Sequence, residues 1–144
     1  MSTISVTHIH SQKWLLRILL FSLLLLFFSI PHTLEDFATG EPAKQGVPAP
    51  LLSLVVSAIF TLQAVGLYWL GQGKRRGIVA HIIIGLFWPI ASGVAQLPTI
   101  MTGEPYRFGA ISILYVAGMI VVGLLLCASA LMALIKGRPK LATS

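Results

Sequence analysis

The sequence predicts an all-α integral membrane protein, four transmembrane helices in an antiparallel bundle with both termini cytoplasmic. Three observations carry that prediction. Hydrophobic residues make up 56% of the 144 positions and charged residues only 10%, against about 25% charged in a soluble domain. The apolar residues gather in four runs, 15–30, 50–70, 78–97 and 109–135, and a bilayer core about 30 Å thick takes about 20 helical residues. None of the runs alternates polar with apolar positions, and an open sheet edge has no place in lipid. A single domain over 1–144 follows, with approximate spans 14–31, 50–70, 78–97 and 109–135.

The basic residues set the orientation. Lys13, Arg17, Lys74, Arg75, Arg76, Lys136, Arg138 and Lys140 fall on one side of the four spans, and only Lys44 and Arg107 fall on the other. By the positive-inside rule the first side is the cytoplasm. All four acids, Glu35, Asp36, Glu41 and Glu104, then lie outside. The net charge of +6 belongs to a membrane surface and not to a nucleic-acid partner. The expected location is the plasma membrane of a prokaryote.

In chain order, 1–12 reads as a loosely ordered polar terminus carrying His8 and His10. The first span opens on Trp14 and Arg17, and the long Arg17 stem reaches back to the interface as an anchor. Lys13 and Arg17 before an apolar run also imitate a signal peptide. Ser29-Ile30-Pro31 is not a small-x-small cleavage site, so a retained helix is the reading. Pro31 either kinks this helix or starts a new one. In both cases His32 meets Glu35 and Asp36 one turn on, in an amphipathic turn at the outer surface. Glycines and prolines make 39–50 a loop.

The second span begins at Pro50 and ends at Gly71, which suits a left-handed C-terminal glycine; Tyr68 and Trp69 lie at its inner end. Gln63 is its one strongly polar interior residue, and interhelical hydrogen bonding accounts for it. A tight basic connection makes spans two and three a hairpin. His81, about one turn into span three, lies about 6 Å deep and Gln63 about 10 Å at 1.5 Å per residue, so the two can pair. Trp88-Pro89 bends span three, and Gly85, Ser92 and Gly93 beside the bend suit a close crossing or a pocket. Gln96 and Pro98 close it. Gly103-Glu104-Pro105 forms a turn before the long fourth span, where Gly123, Cys127 and several alanines give a small-residue face. Cys127 has no base in reach and reads as a packing group.

One place gathers groups capable of chemistry. His32, Glu35, Asp36, Gln96 and Glu104, with Glu41 nearby, form a candidate ligand or metal site at the outer surface; Gln63 and His81 form a candidate intramembrane polar pair. The outer donor set is compatible with a divalent metal, although no His-Glu-x-x-His or paired Glu-x-x-His motif occurs. A bis-histidine haem is disfavoured because His32 and His81 fall in opposite leaflets, more than about 20 Å apart. A haem on one axial histidine fits the same residues, and a quinone fits between His32 and Gln96 or between His81 and Gln63. Glycine-rich phosphate loops after a strand are absent, which excludes nucleotide chemistry of the Rossmann or P-loop kind.

No constellation reaches a catalytic set, so the sequence leans away from an enzyme. It points first to an accessory or structural subunit that packs against membrane protein partners or copies of itself. The alternative is a redox or ligand-binding protein using the outer site around His32, Glu35 and Asp36. A third reading is an oligomeric channel or carrier, for which the nearly uncharged midplane gives little support.

Overall fold

The computed structural model describes residues 6–103 and 105–136, with side chains from residue 13, and those residues form helices and turns only. Glu104, Arg138, Lys140 and the side chains of His8 and His10 lie outside that description. The helices are α1 (Val6–Ala38), α2 (Glu41–Lys44), α3 (Ala49–Gly71), α4 (Arg75–Met101) and α5 (Ala110–Lys136). All but α2 are long and apolar enough to cross a membrane. This is a multi-pass, four-helix membrane protein.

The expected ends shift in four places. α1 begins at Val6, inside the stretch expected to be loosely ordered, and runs through Pro31 to Ala38. α4 runs through Pro89 and Pro98 to Met101. A proline removes one backbone hydrogen bond and strains one turn, and the apolar turns on either side hold the helix together. Gly71, expected as the left-handed cap, is still helical; Gly73 makes that turn at φ 67. Within the expected 39–50 loop, Glu41–Lys44 closes one short helical turn with Pro42 as its second residue.

In space the order is α3, α4, α5, α1, with α5 packed against both α4 and α1. α3 rests on α4 and barely touches α1. The close contacts are made by glycine. A Cβ on Gly85 would stand 2.7 Å from the Cys127 backbone nitrogen, and one on Gly118 would stand 2.6 Å from the Phe28 ring. Small residues let helix backbones meet where lipid supplies no hydrophobic drive. The small faces expected to recruit partners are thus largely used inside the chain.

One end is basic. Arg17 lies 4.7 Å and Lys136 5.1 Å from the Trp14 ring, and Arg76 lies 4.5 Å from Trp69. These cation–π contacts form a girdle at headgroup level, and Lys136 over Trp14 sets the end of α5 beside the start of α1. At 1.5 Å per residue His32 stands about 27 Å further along α1, near the opposite, acidic end. The buried stripe of α1 is Ile18, Ser22, Leu25, Ser29 and His32, stepping by alternate fours and threes, while Leu20, Phe27, Ile30 and Leu34 face outward. Polar side chains inside and apolar ones outside are what lipid surroundings select.

Candidate functional site

At the acidic end α1 carries His32, Glu35 and Asp36 into the protein, and each turns to a different neighbour. His32 is 3% exposed, and its Nε2 lies 3.6 Å from Asp36 Oδ2 one turn on. Asp36 pairs through Oδ1 with Arg107 of the α4–α5 connection. Glu35 faces the other way and accepts a hydrogen bond from Ser112 Oγ at the start of α5. Consecutive helical positions are about 100° apart, so adjacent carboxylates serve separate contacts.

Arg107 organises the cluster. Its side chain is 5% exposed, and its backbone sits at φ 44, which non-glycine residues seldom adopt. From there Nη2 donates to Gln96 Oε1 at 2.9 Å and stands 3.8 Å from Glu41 Oε2. Tyr106 OH donates to the same Gln96 oxygen at 2.7 Å. A guanidinium can only donate, so the Gln96 atom it meets is the carbonyl oxygen and the amide is oriented. Burial pushes the Tyr106 phenol up to about 12, against the opposing pull of the Arg107 charge. It therefore stays a proton donor across the physiological range.

Between α1, α2, α3 and α4 lies a cavity of about 100 Å³. His32, Asp36, Glu41 and Gln96 supply its polar wall, and Leu52, Val56, Phe87, Trp88 and Ala91 its apolar wall. His32 Nδ1 and Trp88 Nε1 are buried without a protein partner, although both residues line this space. Its volume is well under the about 300 Å³ at which pockets enclose drug-sized molecules. A few waters at about 30 Å³ each, or the polar end of a larger molecule, do fit. Among the described residues no three His, Cys, Asp or Glu side chains are placed to hold a metal ion.

The candidate pair of the basic half meets through a third residue. Gln63 Nε2 donates to Ser22 Oγ and to the Ser22 carbonyl, each at 2.9 Å, while His81 Nε2 lies 3.1 Å from Ser22 Oγ. His81 Nδ1 lies 2.7 Å from the Gly77 carbonyl, an acceptor, so Nδ1 carries the ring proton and Nε2 accepts from the serine. The relay is fully buried and joins α1, α3 and α4.

The structure therefore brings His32, Asp36 and Gln96 to one cavity and leaves Glu35 on its far side. Arg107 and Tyr106 were absent from the expected site, and the sequence signal for Arg107 was its position as one of only two basic residues on the acidic side. Ser22 and Trp88 were missed because a serine among leucines and a tryptophan before a proline read as packing. Comparison with known proteins returned no matching family model, no matching curated protein and no matching solved structure.

Proposed function

We propose that this membrane protein binds a lipophile whose polar end enters the cavity at the acidic end. One observation carries the reading: His32 and Trp88, 3% and 5% exposed, line a mainly apolar cavity while each keeps a ring nitrogen unpartnered. Leaving a buried polar atom unmatched costs about 1–3 kcal/mol. A cavity whose lining sets such residues beside Asp36, Gln96, Leu52 and Val56 suits a guest with a polar end and an apolar tail. The experiment is extraction of small molecules from protein purified in native-lipid discs, with mass spectrometry of what leaves. A lipophile enriched over the surrounding lipid, and depleted in His32→Ala, is expected. Identical extracts from both proteins, matching bulk lipid, would overturn the reading.

A second reading, an accessory subunit held by helix packing, rests on α3. Its outward face forms a shallow groove of Leu54, Ser57, Ala58, Thr61, Leu62 and Val65, and its only substantial neighbour is α4. Mild-detergent extraction should then give a larger assembly that Ala58→Trp breaks; recovery as a monomer alone counts against it. For orientation, we propose that the basic end faces the cytoplasm. Supporting this is the excess of basic residues at that end, among them Lys13, Arg17, Lys74, Arg75, Arg76 and Lys136. In a Cys127→Ser background, an impermeant thiol reagent on intact cells should label Gln45→Cys and spare Lys74→Cys; the reverse pattern refutes it.

A further inference from the structure

Independently of the cavity, we infer that the seam between α1 and α5 at the basic end binds the headgroup of an anionic phospholipid. Two cations from two helices converge there on one indole. The Arg17 guanidinium stands 4.7 Å and Lys136 Nζ 5.1 Å from the Trp14 ring, and Lys13, one turn before Arg17, shares its face of α1. All three basic residues are exposed. Like charges gathered this closely repel, and the chain has no acidic side chain to set against them. Glu35, Asp36 and Glu41 are at the other end, and Glu104 belongs to the connection that follows α4.

The acidic end shows what this chain does with a cation when a counter-ion is at hand. Lys44 lies 3.5 Å from Glu41, and Arg107 pairs with Asp36. Among the described residues, ion pairs occur only at that end. The counter-ion of the basic seam therefore comes from outside the chain, and the surface beneath the cations calls for one with hydrocarbon attached. Phe21 lies one turn deeper than Arg17 on the same face of α1, Met132 one turn deeper than Lys136 on the same face of α5, and both are half-buried. Leu20 and Leu131 beside them are exposed. A phosphate level with Arg17 and Lys136 meets a forked guanidinium and a mobile ammonium, while its acyl chains lie over Phe21 and Met132. A zwitterionic head brings its own cation beside those two and forfeits much of the gain, so the seam selects a net negative charge.

The test uses the full chain in lipid discs with Trp69→Phe and Trp88→Phe, which leaves Trp14 as its single indole. Its emission is quenched by phosphatidylglycerol or phosphatidylcholine brominated on the acyl chains, over a series of mole fractions, which gives their relative binding constant at the seam. Phosphatidylglycerol should be favoured about twentyfold, at about fivefold for each of two basic residues. The ratio should fall to about fourfold in Arg17→Gln or in Lys136→Gln, and to about parity in the two together. Removing the same charge elsewhere at that end, in Lys74→Gln with Arg75→Gln, should leave it within about twofold of the parent. Should Trp88→Phe not fold, judged by helicity, native mass spectrometry of the otherwise wild-type chain from micelles holding both lipids in equal amounts counts the phosphatidylglycerol retained, with the same two pairs of substitutions. No preference in the parent, or a preference that Arg17→Gln and Lys136→Gln leave intact, overturns the site. An equal fall in the Lys74 and Arg75 pair also overturns it, the whole end then acting as a diffuse basic surface.

Discussion

Replacing Arg107 separates the two things the structure says about it, that its charge is needed and that its backbone is strained. Its guanidinium is 5% exposed and pairs with Asp36, while the Asp36 side chain keeps 17% exposure. Removing one partner of a buried pair costs about 3–5 kcal/mol. Because water can reach part of Asp36, we expect the lower end, about 3 kcal/mol, for Arg107→Ala. The alanine would still sit at φ 44, a conformation that costs an L residue about 1 kcal/mol and a glycine almost nothing. Arg107→Gly should therefore be about 1 kcal/mol more stable than Arg107→Ala, the reverse of the usual ranking of alanine over glycine. Adding Asp36→Asn to Arg107→Ala should recover stability, since it removes the stranded charge. The assay is unfolding in mixed micelles by titration with dodecyl sulfate, followed by helicity. An Arg107→Ala protein within about 1 kcal/mol of wild type, or a glycine variant less stable than the alanine one, would refute the reasoning.

Three more outcomes follow from single contacts. Ser22→Ala removes two hydrogen bonds at the meeting point of Gln63 and His81; at about 0.6 kcal/mol each within a membrane protein, it should cost about 1 kcal/mol in the same assay. Gly85→Ala drives a methyl to 2.8 Å from the Gly123 carbonyl and should cost about 1–3 kcal/mol. Gly93→Ala meets only Leu97 Cδ1 at 3.8 Å and should fold at least as well as wild type; equal losses at the two sites would refute the packing assignment. The folded Tyr106 phenol titrates at about 12 against an ordinary 10.0. The folded state thus holds that proton more tightly, so the contribution is complete below pH 10.0 and lost as pH rises toward about 12. Stability measured over that window should decline in wild type and stay flatter in Tyr106→Phe.

The four spans were legible because a lipid solvent acts on composition, and runs of apolar residues carry that signal unaided. Their ends were less so. Pro31 and Pro98 look like stops, yet each removes one bond, and whether a helix survives that loss depends on the turns packed around it. At the site, His32, Asp36 and Gln96 stood out as polar residues beside greasy runs, and the fold brings them to one cavity. The stripe that continues from Ile18 through Ser22, Leu25, Ser29 and His32 was also present in the spacing, and its next member is Asp36. Arg107 was not legible as a partner because its reach depends on one left-handed backbone torsion in a connecting segment, which no periodicity records. Ser22 was hidden for a different reason. A serine in a helix can satisfy itself on its own backbone, so only the arrival of Gln63 and His81 reveals it as a junction.

The cavity is lined by helices that are braced to different degrees. Its polar wall comes mostly from α1 and α4, which α5 holds together through the Gly118–Phe28 and Gly85–Cys127 contacts. Its facing apolar wall includes Leu52 and Val56 of α3. α3 is fastened to its neighbours in the basic half, where Gly66 lies against Ala80 and His81 and where Gln63 reaches Ser22. Hydrogen-bonding groups are thus fixed mostly by the braced side, while part of the apolar surface, Leu52 and Val56, belongs to a helix whose one substantial neighbour is α4. Recognition of the head group should then be exacting and recognition of the tail permissive. Leu52→Ala with Val56→Ala should leave the enriched lipophile recoverable from native-lipid discs, whereas His32→Ala depletes it. Loss of enrichment in the Leu52 and Val56 variant equal to that in His32→Ala would place head-group recognition on α3 and refute the reasoning.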